Sequence, residues 1–189
     1  MNREDIMKSG RRAGEVLRYH AWQVLRAQSV AEHTWQVLRI FYQIFDQLPE
    51  EIAVNVLWHD AGELRIGDLP FPVKSQNPDL KAVCDRLEEE TVAIMAGSLP
   101  RLDSLDRNRI KLCDLLEMVE FGNDEVMRGN QFAQPIVVDC IKAAASLPIG
   151  DGDWQAVFDY LERSGQLSVN TQLRIKRRQH ANNKRIERE

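Results

Sequence analysis

A chain of 189 residues, 43% hydrophobic and 29% charged, is long enough for one domain with a substantial core and too short for two large ones. Its 25 Lys+Arg against 29 Asp+Glu give a net charge of −4, so the average surface does not favour a polyanion such as DNA, and any anion site must be local. Apolar runs break well short of the about 18 residues a membrane span needs, and the Met1-Asn2-Arg3-Glu4-Asp5 start has no signal-peptide core, so a soluble cytoplasmic protein is expected. Cys84, Cys113 and Cys140 are too far apart for a Cys-x-x-Cys site and are expected as small buried hydrophobes.

Spacings of three and four recur along most of the chain, whereas two-residue alternation is hard to find, so the expected fold is all-α. A first helix is expected over 3–17, followed by a loop or short extended link through Arg18-Tyr19-His20-Ala21-Trp22-Gln23-Val24-Leu25-Arg26. Ser29-Val30-Ala31-Glu32 reads as a capping box that opens a helix to Leu48, with an apolar stripe of Val37, Phe41, Ile44, Phe45 and Leu48. His33 stands one turn before that stripe, on its core side. Pro49 suits the first turn of the next helix, whose inner face of Ile52, Ala53, Val56 and Leu57 continues onto His59, Asp60 and Glu63. That helix is expected to end near Gly67, because Gly67-Asp68-Leu69-Pro70-Phe71-Pro72 combines a glycine with two prolines.

Pro78 starts an amphipathic helix through Leu80, Val83, Leu87, Thr91 and Met95, ended by Gly97 and Pro100. A further helix, Ser104 to Phe121, carries Ile110, Asp114, Met118 and Phe121 on one face, so that a carboxylate stands where an apolar residue belongs. Helices around 135–147 and 154–161 follow, with Ile149, Trp154, Val157 and Phe158 available to close a core or an interface. Residues 169–189 hold a local charge of +5 against −9 for residues 1–168, and read as a basic C-terminal helix or tail, solvated or, on a sharper view, a nucleic-acid contact.

An isolated buried charge costs several kcal/mol unless it is paired or coordinated, roughly the full margin of a small domain. One histidine on a core face is commonly a satisfied core residue. His33, the His59-Asp60 pair and Asp114 lie on three separate helices, each at a position its own period turns inward, and convergence on one cation would neutralise both carboxylates and fix both imidazoles. Two imidazoles and two carboxylates without a thiolate suit Mn²⁺, Fe²⁺, Co²⁺, Ni²⁺ or Zn²⁺. Such an ion lowers the pKa of a bound water from about 16 toward about 7 to 9, which is the machinery of hydrolysis. Glu63, four residues after His59 and three after Asp60, projects one turn further along the same face and is the candidate general base or acid. Asp68 reads either as a second site carboxylate or as an ordinary turn residue.

The order His33, His59-Asp60, Asp114 resembles the HD-domain metal-dependent phosphohydrolases. More narrowly, Arg18-Tyr19, Val30-Ala31-Glu32-His33, His59-Asp60-Ala61-Gly62-Glu63 and Gly67-Asp68-Leu69-Pro70-x-Pro72-Val73-Lys74 resemble the branch of bacterial 5'-deoxynucleotidases and viral dATP triphosphohydrolases. The resemblance implies a compact helical HD-domain bundle, placed here in residues 1–168, whose metal ion activates water against the α-phosphorus of a deoxyribonucleotide. It implies that Glu63 assists proton transfer, that Asp68 sits by the nucleotide and the water, and that Arg18 and Lys74 are phosphate-side cations. It also places Tyr19 where these relatives carry a tryptophan packed on the sugar, and Ala21 and Trp22 beside the base. A homo-oligomer is expected on the same ground.

Two substrates fit this chemistry: a monophosphate, giving deoxynucleoside and phosphate, or a triphosphate released whole. The second needs more cations at the pocket mouth, for which Arg11, Arg12, Arg26 and Arg65 are available. A non-catalytic nucleotide or nucleic-acid module with the basic tail as its working surface is the remaining alternative, against which the intact water-activating set argues.

Overall fold

The structure, a computed structural model, describes residues 3–69, 73 and 77–186. Helices dominate the described residues, as the all-α expectation requires, and the chain divides into two compact units, 1–36 with 49–102 and 37–48 with 103–189.

In the first unit, the single helix expected over 3–17 is instead two short ones, α1 (Arg3–Lys8) and α2 (Gly10–Ala13). Ser9 breaks the run: its hydroxyl donates back to the Asp5 carbonyl, and Gly10 and Gly14 flank the segment. Strand β1 (Leu17–Arg18) then pairs antiparallel with β2 (Gln28–Ser29), Leu17 opposite Ser29 and Arg18 opposite Gln28. The expected loop 18–26 is therefore largely the connection of a small hairpin. Val30 N donates to Val16 O at 2.9 Å and Ala31 N to Gly14 O at 3.1 Å, which ties the hairpin to the start of α3 (Val30–Phe45). Half of the capping box forms: Ser29 Oγ accepts from Glu32 N at 3.2 Å, while the Glu32 carboxylate pairs with Arg26 rather than reaching back.

Helix α4 (Glu50–Trp58) follows Pro49 and buries Ile52 and Val56, but Leu57 is exposed. It stops well before Gly67. Asp60, at φ −104° and ψ 2°, takes the chain out of the α-helix into a 3₁₀ turn, Ala61–Leu64. The turn lies on α5 (Pro78–Ala96) so closely that a Cβ on Gly62 would sit 2.5 Å from Glu88 Cα. Only glycine permits that approach to backbone. On α5 Thr91 of the expected stripe is buried, as is Cys84 outside it, whereas Leu80 and Val83 of that stripe are exposed, so the N-terminal part of the inner face is rotated from the one the apolar residues suggest.

In the second unit, the Val37, Ile40, Phe41 and Ile44 face of α3 is buried, and α6 (Ser104–Met127) is capped by Asp103, whose side chain accepts from Asp106 N at 2.8 Å. This helix continues six residues past the expected end at Phe121. Gly122 does not terminate it but admits α7 (Gln134–Ala145), since a Cβ there would lie 2.7 Å from Val137 Cγ2. Helices α8 (Asp151–Arg163) and α9 (Leu167–Ile186) complete the unit. Ile149, Trp154, Val157 and Phe158 are buried in its core, joined by Val169 and Leu173 of α9. All three cysteines are buried and free. Among the described residues, no helix is long and apolar enough to cross a membrane.

Candidate metal centre

The first unit brings three of the sequence-expected ligands together. His33 enters from the first turn of α3 and is completely buried; His59 caps the C-terminus of α4; Asp60 opens the 3₁₀ turn. The last carbonyls of a helix have no intrahelical partner, and one of them fixes an imidazole here: His59 Nδ1 lies 2.6 Å from Val56 O. A carbonyl only accepts, so Nδ1 carries the proton and Nε2 presents its lone pair. That nitrogen lies 3.2 Å from His33 Nε2 and 3.3 Å from Asp60 Oδ2, and His33 Nε2 lies 3.5 Å from the same oxygen.

These three separations test whether a metal fits. Ligands about 2.0 to 2.1 Å from one divalent ion stand about 2.9 Å apart in a right-angled arrangement and about 3.4 Å apart in a tetrahedral one. The observed triangle falls in and just above that range, and the ligand atoms are two nitrogens and a carboxylate oxygen. His33, His59 and Asp60 can hold a metal ion. Asp114 lies on α6 in the second unit, 9% exposed between Cys113 and Leu115, and Lys111 Nζ donates to its Oδ2 at 2.6 Å. Burial, and then the Asp114 carboxylate, raise the pKa of the neighbouring Cys113 thiol well above its ordinary value, so it stays a neutral core side chain.

Glu63 is buried, but on the 3₁₀ turn rather than on a continued helix, so the expected projection one helical turn beyond His59 is replaced by the tighter path of Ala61–Leu64 against α5. Arg18 is buried as well, and its guanidinium donates to Asp60 Oδ2. Tyr19 is 6% exposed with φ +59°, and its backbone N–H donates to Asp68 Oδ2 at 2.8 Å. Ala21 is exposed and Trp22 half-buried; Trp22 N closes a turn on Tyr19 O at 2.8 Å. Lys74 and the Pro70-Phe71-Pro72 portion of the expected loop lie outside the described residues.

Sequence reasoning missed two supports. Val56, whose carbonyl orients His59, was legible in principle, since a histidine at a helix end has the carbonyl three residues back within reach. Gly62 was not, because the need for it comes from Glu88 on another helix. Beside His59, Trp58 and the carboxylates Asp85, Glu88 and Glu89 line a half-open groove of about 640 Å³. Its only described lysine, Lys81, pairs with Asp85 and stands among three carboxylates, so the groove is a poor seat for a phosphate.

Several known proteins are similar to this chain. The chain is 28% identical over 137 residues to a 5'-deoxynucleotidase of Pasteurella multocida, a match covering 58% of this chain and 70% of that protein. It is 31% identical over 91 residues to a 5'-deoxynucleotidase of Vibrio atlanticus, covering 42% and 47%. A dATP triphosphohydrolase of cyanophage S-2L matches at 29% over 116 residues, covering 58% and 65%. Among solved structures, the cyanophage S-2L HD phosphohydrolase bound to dA and one catalytic Zn²⁺ ion superimposes with a TM-score of 0.65 at 21% identity, over 83% of this chain and 94% of that one. An HD-domain phosphohydrolase of Listeria innocua gives 0.64 at 17% identity, over 93% and 100%. These two carry the fold alone. The family described as 5'-deoxynucleotidase YfbR-like matches residues 11–106, just over half of the chain and the stretch that holds the whole His33, His59 and Asp60 triangle. On that match, the chain belongs to the 5'-deoxynucleotidase YfbR-like family.

Proposed function

We propose that this protein is a metal-dependent phosphohydrolase of 2'-deoxyribonucleotides that cleaves at the 5' α-phosphate, converting a deoxynucleoside monophosphate to deoxynucleoside and phosphate. The observation that carries the reading is the triangle of His33 Nε2, His59 Nε2 and Asp60 Oδ2, with sides of 3.2 to 3.5 Å, in a chain of this family. A divalent ion held there supplies Lewis acidity and lowers the pKa of water near the phosphorus.

The remaining roles belong to this chain's own groups. Asp114 is the fourth ligand, supported by the resemblance and by a carboxylate buried on an otherwise apolar stretch of α6. Glu63, buried on the 3₁₀ turn three residues after Asp60, moves the proton, and Asp68 orients the attacking water. Arg18 and Lys74 bind the phosphate, Arg18 from a position already against Asp60. Tyr19 packs on the sugar, and Ala21 and Trp22 border the base.

Mn²⁺, Co²⁺, Zn²⁺, Fe²⁺ and Ni²⁺ all suit the donor set, and availability selects among them. We further propose a cytoplasmic homo-oligomer in which residues 1–168 carry the activity and residues 169–189 form a basic end. Nucleic-acid binding by that end is disfavoured, because Arg174 lies 3.9 Å over the Phe158 ring and Arg177 4.5 Å over Trp154, so both cations serve packing.

A second reading, release of intact triphosphate from dATP, is favoured by the similarity to the cyanophage triphosphohydrolase. Against it, three of the four arginines available for extra phosphates face carboxylates: Arg11 with Glu15, Arg26 with Glu32, Arg65 with Glu90. One assay separates the readings: purified protein with Mn²⁺ or Co²⁺ and dAMP, dATP or AMP, with products resolved. Deoxynucleoside and phosphate from dAMP establish the monophosphatase, and intact triphosphate from dATP establishes the alternative. No turnover with any of these metals overturns both.

A further inference from the structure

Tyr19 adopts the left-handed backbone conformation, φ +59°, which a bulky aromatic residue rarely enters. The other described non-glycine residue with positive φ is Asp46, an exposed aspartate just past α3, where short polar side chains tolerate that geometry. Tyr19 is the opposite case, an aromatic that is 6% exposed. Such strain persists only where the surroundings over-determine it.

Two hydrogen bonds supply the constraint. Trp22 N donates to Tyr19 O at 2.8 Å, closing the local turn. Asp68 Oδ2 accepts from Tyr19 N at 2.8 Å across 49 positions of sequence, from the segment that follows Gly67. The second has a carboxylate as its acceptor, and it is the one that ties the turn to the rest of the first unit. Arg18, immediately before, is fixed in the same way through its side chain on Asp60. The Arg18-Tyr19 pair is thus held at two carboxylates.

We propose that Asp68 is the strut that holds Tyr19 in its left-handed conformation, and through it a positioning residue for discrimination between deoxyribose and ribose. This rests on the reading of the protein as a deoxyribonucleotide hydrolase with Tyr19 at the sugar. Ribose differs by one hydroxyl, so an aromatic wall rejects it only if the wall cannot give way. A buried ring on a pinned backbone meets that requirement, and the same ring on a backbone free to relax to negative φ does not. The role is additional to any contact of Asp68 with water or nucleotide, since it uses Oδ2 and the Tyr19 amide.

The test compares Asp68→Ala, which removes the acceptor, with Asp68→Asn, whose amide oxygen can still accept from Tyr19 N. Two readouts are taken on the full chain: hydrogen exchange of the Tyr19 amide without substrate, and the ratio of kcat/KM for dAMP to that for AMP. In Asp68→Ala the amide loses protection and the ratio falls about 10-fold, whereas Asp68→Asn keeps both near the parent values even where its kcat drops. Unchanged protection in Asp68→Ala, or an unchanged ratio alongside equal losses of kcat in both variants, overturns the proposal. Failure of the parent to hydrolyse either nucleotide overturns the functional reading and the selectivity role with it, while exchange at Tyr19 still decides whether the strut exists.

Discussion

The two compact units solve different problems with the same kind of sequence. The second is built from long helices tied together by side-chain hydrogen bonds: Glu120 accepts from Arg39, Tyr160 and Gln166, and Asn170 Nδ2 donates to Phe158 O at 3.0 Å. The first is irregular where it matters. It carries short helices, a two-residue hairpin, a 3₁₀ turn, a left-handed tyrosine and two histidine nitrogens 3.2 Å apart. Regular structure satisfies its backbone locally and leaves side chains on predictable faces, while a reactive centre needs groups aimed at one point, which demands breaks in regularity and supports from elsewhere in the chain.

Breaking the centre has the largest expected effect. His59→Ala removes bound metal, read by elemental analysis, and lowers hydrolysis by about 10³-fold or more, roughly 4 kcal/mol of barrier. Parent protein gains thermal stability when Mn²⁺ is added, by about 2.7 kcal/mol at a hundredfold excess over Kd, and the variant does not. A variant that keeps stoichiometric metal removes His59 from the ligand set. Glu63→Gln is next: metal is retained and turnover falls by about 10² to 10⁴-fold, the span of a general acid or base, and full turnover would contradict its role.

The glycines sharpen the contrast between units. Gly62→Ala drives a methyl group into Glu88 backbone at 2.5 Å, whereas Gly122→Ala meets one methyl of Val137 at 2.7 Å, which a side-chain rotation relieves. Urea unfolding should show Gly62→Ala costing about 1 to 3 kcal/mol, the usual range for overpacking, and Gly122→Ala less. Equal costs would mean that the first unit is no more tightly specified than the second.

The smallest effect belongs to Tyr160 in the second unit. Burial, and then Glu120, raise the pKa of its hydroxyl above the ordinary value of 10. The folded protein therefore keeps this proton while the unfolded chain releases it above about pH 10, so the stability it contributes is complete below that pH and is lost as pH rises further. Tyr160→Phe loses the hydrogen bond that the hydroxyl donates to Glu120 and the 3.3 Å one that it accepts from Arg39, on the order of 1 kcal/mol at neutral pH, and its unfolding curve declines less than the parent's between about pH 9 and 11. A decline as steep as the parent's would show that other groups govern the alkaline limb.

Legibility followed the range of the interactions. The Ser29 cap, the Pro78 start of α5 and the buried Val37, Phe41 and Ile44 stripe depend on residues a few positions apart, and each was readable. The spacing of Glu63 from His59 suggests one helical turn, but the chain leaves the α-helix at Asp60, so the ground for singling out Glu63 is only partly sound. Continuous periodicity cannot register a change of helix type when the next apolar residue still falls on an acceptable face. Only the N-terminal part of the inner face of α5 departs from expectation, since Leu80 and Val83 are exposed despite being apolar while Thr91 is buried.

By itself, then, the sequence determined the helical fold class, the residue types of the centre and their order along the chain, because propensity, capping and donor chemistry are properties of a residue and its near neighbours. Only the tertiary structure decided that His33, His59 and Asp60 meet within 3.5 Å, that Gly62 must lack a side chain against Glu88, and that Asp68 reaches Tyr19 N. Apart from the adjacent His59-Asp60 pair, those contacts join positions 26 to 49 residues apart, and no local rule encodes a distance that the packing of separate elements sets.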